Sequence, residues 1–115
     1  MADDLQALGA AIAAASDLDA PERRHGKTAL HYAAGSFTLD AARELISAGA
    51  CVDARDDHGN TPLFGATFDS RGRGEMIQLL REAGADPDVE NLHGVSPRML
   101  AHTIGNYDVR QFYAS

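Results

Sequence analysis

The sequence predicts an all-α protein in which one short helical unit recurs along the chain, and three observations support this. An eight-residue segment at 59–66 has an earlier copy at 26–33 and a weaker copy at 94–101. Spacings of 33 and 35 residues are typical of repeat proteins, whose units stack to bury a shared core. Each copy also carries the signals of a helix start, followed by apolar residues at helical spacing.

These helix-start signals have simple physical causes. Gly59 opens its segment, where a tight turn needs a residue that tolerates positive φ. Thr61 takes the N-cap position and Pro62 follows at the first helical position, where proline is favoured. The third copy repeats this pair as Ser96 and Pro97, whereas the first copy has threonine and then alanine, the best helix former. Each copy therefore predicts a short helix with a buried stripe.

The repeated segment resembles the Thr-Pro-Leu-His-x-Ala signature of ankyrin repeats, and the period is that of the same family. The resemblance covers roughly residues 8–115. It implies an all-α ankyrin-repeat solenoid of stacked helix-turn-helix units with hairpin-like connections. A single domain is expected, with a capping half repeat at 1–25, repeats at 26–58 and 59–93, and a truncated repeat at 94–115.

Apolar periodicity and turn residues place the remaining helices. Asp40 is expected to start a second helix that Gly49 ends, as a C′ glycine does. Other helices are expected at 3–15, 29–35, 75–83, 96–104 and 108–114. Arg98 stands where the motif has leucine, which suggests an edge with more solvent on the last repeat.

The second repeat contains a two-residue insertion. Nine positions separate Ala66 from Glu75, against seven between Ala33 and Asp40. The extra residues fall within 68–74, which holds two arginines, two glycines and a phenylalanine. Insertions in repeat proteins map to loops, often on the binding face.

Composition narrows the function and the compartment. A net charge of −7 argues against nucleic acid as a partner and favours a basic one, although general acidity is an alternative explanation. Cys51 is the only cysteine, which excludes an internal disulfide and fits a reducing compartment. Asp3 and Asp4 contradict a signal peptide, and the apolar segment at 10–15 is too short to span a membrane. We expect a cytoplasmic protein that is monomeric when free.

The histidines predict structure rather than chemistry. Three of them, at 25, 58 and 93, each precede a repeat glycine, so stacking places them about 10 Å apart. That spacing is too wide for one metal ion, whose ligand bonds are about 2 Å. They are interpreted as exposed turn residues, with a pH-sensitive contact row as the alternative. The resemblance implies that His31 is a structural hydrogen-bonding residue.

Other candidate chemistry is weak. The Gly72-Arg73-Gly74 segment lacks the lysine and strand of a phosphate-binding loop. The acidic pairs at 56–57 and 86–88 are interpreted as solvated turn residues, since they lack the spacing of a calcium loop. No cofactor, metal site or catalytic residue is expected.

The resemblance implies a protein-binding surface on the hairpin tips and the ends of the first helices. Leu92 and Phe68 are candidate interface anchors, with local packing as the alternative. The expected contact residues are Arg24, His25, Lys27, Ser36, Arg55, Asp57, His58, Asn60, Phe68, Asp69, Arg71, Arg73, Glu90, Leu92, His93, Val95 and Ile104.

The predicted function is non-catalytic binding of a protein partner through the concave face that the resemblance implies. In its sharpest form, the protein is an immunity protein or inhibitor that neutralises a basic toxin or effector domain. The alternative is a generic adaptor or regulatory scaffold subunit. An enzyme that uses the Arg71/Arg73 loop is a remote alternative.

Overall fold

The structure, a computed structural model, describes residues 18–103 and 109–113. The described part is helical and contains no strand, so the prediction of an all-α fold is confirmed. Its elements are α1 (Ala29–Gly35), α2 (Leu39–Ser47), α3 (Pro62–Phe68), α4 (Glu75–Glu82), α5 (Pro97–Thr103) and a 3₁₀ helix (Arg110–Tyr113).

The predicted helix boundaries agree closely with the observed ones. Helix α1 has the predicted limits, and α2 begins at Leu39, one residue before the predicted start. Gly49 follows the C-cap of α2 with φ of 97°, as a C′ glycine should. The predicted helix at 3–15 lies outside the described residues. Of the helix predicted at 108–114, the described part forms the short 3₁₀ helix instead.

The helices stack in two layers. The first helices of successive repeats, α1, α3 and α5, pack against one another in order, and each of α2 and α4 packs against the helix before it. Leu30, Leu45, Leu63, Met76 and Leu80 are fully buried between the layers. A single repeat cannot enclose its own apolar face, so the core exists only in the stack. In the described residues, no helix is long and apolar enough to cross a membrane.

Three finger turns, defined by residues 22–27, 56–60 and 91–95, connect the repeats. In the second turn, the Asp56 amide donates to the Asn60 carbonyl at 2.9 Å. The third turn has the same bond between its first and last residues. The first turn is one residue longer, because the Glu22 amide pairs with the Lys27 carbonyl. Adjacent turns are also joined, since the Asp57 amide donates to the His25 carbonyl at 3.0 Å. These bonds hold the turn residues in register along one edge.

The last repeat has the more solvent-accessible edge that Arg98 indicated. The Arg98 side chain is 31% exposed, whereas Leu30 and Leu63 at the matching positions are buried, and its Nε lies 2.8 Å from an Asp88 carboxylate oxygen. Its guanidinium also donates to the Tyr113 carbonyl at 2.6 Å. The Tyr113 hydroxyl in turn bonds the Thr67 hydroxyl of α3. Arginine therefore replaces leucine because it fastens the C-terminal turn to the stack.

Candidate functional site

A groove of about 360 Å³ opens between the first two repeats, on the side of the finger turns and first helices. We call it the inter-repeat groove. Its lining comes from α1, from α3 with the residues on either side of it, and from the first two finger turns. The lining residues are Lys27, His31, Gly35, Asp56, Asn60, Thr61, Phe64, Gly65, Phe68 and Asp69.

At the first repeat, His31 completes a capping box that also joins two repeats. Its Nδ1 accepts the Thr28 amide at 3.1 Å, so Nε2 carries the proton and donates to the Asn60 carbonyl at 2.8 Å. Burial lowers the pKa of His31, against the opposing effects of the Asn60 bond and the Asp56 charge. This geometry agrees with the structural role that the resemblance implies.

The second repeat lacks this capping box. Phe64 occupies the place of His31, and the hydroxyl of Thr61, a residue only 1% exposed, has no hydrogen-bond partner among the described residues. Thr61 was predicted as an N-cap, and its backbone has that conformation, but its side chain makes no capping bond. In the third repeat, by contrast, the Ser96 hydroxyl accepts the Met99 amide at 3.2 Å. The unsatisfied cap is therefore specific to the repeat that carries Phe64.

Two glycines of the groove are not required by the backbone. Of the atoms that the structure describes, a Cβ on Gly65 would meet none within 4 Å, and one on Gly35 would meet only the Asp69 carboxylate at 3.5 Å. Neither glycine has positive φ. Among the other described glycines, six have positive φ, and a Cβ on Gly74 would lie 2.1 Å from the Phe112 ring. The empty space at 35 and 65 thus has no explanation in the fold.

The groove carries charge of both signs. Asp56 is committed to its turn, because one carboxylate oxygen accepts the amides of His58 and Asn60 at 2.9 Å. The Lys27 ammonium lies 5.6 Å from the centre of the Tyr32 ring. Asp69 is exposed, and its carboxylate makes no hydrogen bond or ion pair with any described residue. Asp69 is therefore the groove carboxylate that remains available to a ligand.

A family model described as ankyrin repeats, in three copies, matches residues 3–109. The chain belongs to the ankyrin-repeat family. It is 41% identical over 91 residues to the NF-kappa-B p105 subunit of Gallus gallus, covering 78% of this chain and 9% of that protein. It is 34% identical over 83 residues to the E3 ubiquitin-protein ligase KEG of Arabidopsis thaliana, covering 72% and 5%. It is 36% identical over 98 residues to the neurogenic locus notch homolog protein 2 of Homo sapiens, covering 85% and 4%.

The chain spans less than a tenth of the length of these relatives. What they share with it is the ankyrin region, and ankyrin repeats generally mediate protein–protein interaction and are typically non-catalytic. The predicted family is therefore confirmed, and the general function of that family is protein interaction, as predicted.

The ankyrin stack brings four of the predicted contact residues into the groove, namely Lys27, Asn60, Phe68 and Asp69. Phe68 is 67% exposed and Leu92, in the third finger turn, is 73% exposed, so neither packs locally. Ile104 lies outside the described residues. The other exposed members of the predicted set are Arg24, His25, Ser36, Arg55, Asp57, His58, Arg71, Arg73, Glu90 and His93, and Val95 is half-buried.

Several predicted contact residues are held by bonds within the chain. Arg55 donates to the Gly59 carbonyl at 3.2 Å and to the Glu90 carbonyl, which joins the second finger turn to the residue before the third. Ser36 donates to the Tyr32 carbonyl at 2.7 Å and closes α1. The exposure of these side chains therefore overstates their freedom to bind.

The inserted loop packs against the ankyrin repeat before it. The Arg73 guanidinium lies 3.8 Å from the centre of the Phe37 ring, and its Nε donates to the Ser70 carbonyl at 3.0 Å. Arg71 is exposed, with φ of 52°, a conformation that L-residues rarely adopt. The two arginines thus differ, because Arg73 stabilises the loop and Arg71 faces solvent.

The acidic turn residues also have local partners. The Asp86 carboxylate accepts the Asp88 amide at 2.9 Å. The Asp56 carboxylate accepts the amide two residues later in the same way. In the described ranges, no three His, Cys, Asp or Glu side chains are grouped as a metal site requires.

Sequence analysis missed Phe64, Gly65 and Asp56 as groove residues. The available signal was the deviation between copies, since Phe64 stands where the first copy has His31. Gly65 gave no signal, because the space beside it depends on how two repeats stack.

Proposed function

We propose that this ankyrin domain binds a basic protein partner, without catalysis, through the face formed by the finger turns and first helices. The observation that carries the proposal is the exposure of Phe68 and Leu92 on that face, at 67% and 73%. Large apolar side chains beside charged ones are typical anchors of protein interfaces. The stack is formed before binding, so little ordering is needed when a partner docks.

Charge supports a basic partner. The chain carries −7 overall, which speeds association with a positive surface and slows it with a negative one. The unpaired, exposed Cys51 is compatible with the reducing cytoplasm, where we place the protein.

In its sharpest form, the proposal is an inhibitor or immunity protein that covers a basic toxin or effector domain. The charge supports this form. The alternative is an adaptor or regulatory subunit that leaves its partner active. The two differ in one measurable respect, the activity of the partner in the complex.

The test uses single charge insertions on opposite faces. Wild type, Phe68→Asp and Leu92→Asp are used to capture partners from the native host, and the captured protein is then purified for calorimetric titration. Gln78→Asp is the matched control, because Gln78 is exposed on α4, away from the finger turns. We expect each of the two face variants to weaken binding at least tenfold and the control to change it less than twofold.

Equal affinity for all four proteins would overturn the proposed face. Assay of the partner's own activity at equimolar complex then distinguishes the two forms. Loss of that activity supports the inhibitor, and full retention supports the adaptor.

A further inference from the structure

The inter-repeat groove concentrates features that oppose local stability. Gly65 lies inside α3, where alanine would favour the helix and its Cβ would meet nothing. Phe64 leaves the Thr61 hydroxyl buried and unpaired, although His31 shows that this chain satisfies the same position elsewhere. Residues that reduce local stability, grouped at one place and without local compensation, are typical of functional sites.

The groove also offers a specific combination of chemistry. Phe64 and Phe68 supply aromatic surface, while Gly35 and Gly65 leave space where other residues would place a side chain. Asp69 adds a carboxylate with no partner among the described residues. A ligand that fits must be apolar along its length and positively charged at one end.

We propose that the groove receives one arginine side chain of the protein partner, with its guanidinium against Asp69 and the Phe68 ring. This inference rests on the proposed function and names the group that the partner contributes. A guanidinium is planar, stacks on aromatic faces and pairs with a carboxylate through two parallel hydrogen bonds.

An apolar anchor fits the groove less well. It would cover Asp69 and remove water from the carboxylate without supplying a hydrogen bond, which is unfavourable. The position of Lys27 then sets the orientation of the arginine. Its ammonium lies near Tyr32 and the first finger turn, so the incoming cation is favoured at the Asp69 end.

The first test uses a minimal probe. Nitrogen-15-labelled protein is titrated with N-acetyl-arginine N-methylamide and, in parallel, with the neutral isostere N-acetyl-citrulline N-methylamide. We expect saturable shifts at the amides of Gly65, Phe68 and Asp69, with millimolar affinity for arginine that is at least fivefold weaker for citrulline. The Asp69→Asn variant is expected to remove that difference. Equal binding of the two compounds, no saturable shift, or shifts spread over the acidic surface would overturn the assignment.

The second test fills the groove without disturbing the fold. Gly65→Leu adds a side chain where a Cβ has no neighbour, so the variant is expected to melt no lower than wild type. It is expected to reduce the affinity for the arginine probe at least fivefold. Gln78→Leu makes the same addition to an exposed position of α4 and should leave the titration unchanged. A folded Gly65→Leu protein with wild-type affinity would contradict the proposal.

The two proposals fail in different ways. If Phe68→Asp and Leu92→Asp release a captured partner but Gly65→Leu and Asp69→Asn do not, the binding face stands and the arginine site is wrong. If the arginine probe binds as described but partner affinity is equal in all face variants, the proposed face is wrong, and the assignment of the groove to an arginine of the partner fails with it.

Discussion

Replacing Phe64 with histidine should stabilise this protein, although it exchanges a half-buried apolar ring for a polar one. The new imidazole would occupy the position that His31 has in the first repeat, three residues after the capping threonine. There it would pair with the Thr61 hydroxyl, which is buried without a partner. Its other nitrogen would reach for the Val95 carbonyl, which follows Gly94 as Asn60 follows Gly59.

Two opposing effects set the magnitude. An unsatisfied buried hydroxyl costs ~1–3 kcal/mol, and a helix cap contributes about 1 kcal/mol. Fully burying a phenylalanine side chain is worth ~1.5–3 kcal/mol, and Phe64 is only half-buried, so its loss costs about 1 kcal/mol. The net gain in the free energy of unfolding is therefore about 1 kcal/mol, or about 4 °C in melting temperature for a chain of this size.

Urea unfolding followed by far-ultraviolet circular dichroism measures this effect. His31→Phe is the reciprocal control and should lose about 2 kcal/mol, because it unpairs Thr28 and breaks the bond to Asn60. Thr61→Val should stabilise the wild type by about 1 kcal/mol but destabilise the Phe64→His protein, which then loses its new bond. Unchanged stability in both Phe64→His and Thr61→Val would refute the reasoning.

Three further predictions concern titration and packing. Lowering the pH from 7 to 5 should destabilise the protein, because burial lowers the pKa of His31 below its ordinary 6.5, so the unfolded chain gains the proton at a higher pH than the folded one. Urea titrations of His31→Phe should lack this contribution, and an equal slope in both proteins would contradict it. Burial raises the pKa of Tyr113 from 10.0 to about 12, so stability should hold below pH 10 and fall between pH 10 and 12. Tyr113→Phe should flatten that fall while losing about 1 kcal/mol at neutral pH, and an unaltered alkaline fall would argue against it. Gly74→Ala should cost ~1–3 kcal/mol in urea unfolding, because its Cβ would lie 2.1 Å from the Phe112 ring. Gly65→Ala, its control, should gain ~0.5–1 kcal/mol, and equal effects of the two would contradict the packing.

The helices were predictable from sequence because their signals are local. Thr28 starts α1 through a capping preference that acts within a few residues. The partners of Arg98 were not predictable because they are distant in sequence, since Asp88 lies in the preceding connection and Tyr113 in the terminal turn. The 3₁₀ form of the terminal segment likewise depends on contacts with the stack.

The candidate site was predictable only where exposure follows from position in the repeat. Phe68 and Leu92 were predicted as anchors because the ends of first helices and the finger tips face outward. The groove was not predictable, because the sequence does not show which positions, such as Gly65, lack a neighbour once two repeats are stacked. Arg73 shows the same limit, since its position over Phe37 requires two repeats to be stacked.

The links between repeats explain why the second repeat tolerates Phe64. Between the first two repeats, the His31 bond to Asn60 is a principal link from first helix to finger turn. Phe64 has no such bond to offer, but the second and third repeats have substitutes. The Tyr113 hydroxyl bonds α3, and the Asn91 side chain donates to that of Asn60 at 2.8 Å. Because the stability of a repeat stack is roughly a sum over neighbouring interfaces, these bonds release residue 64 from capping and leave its ring available to the groove.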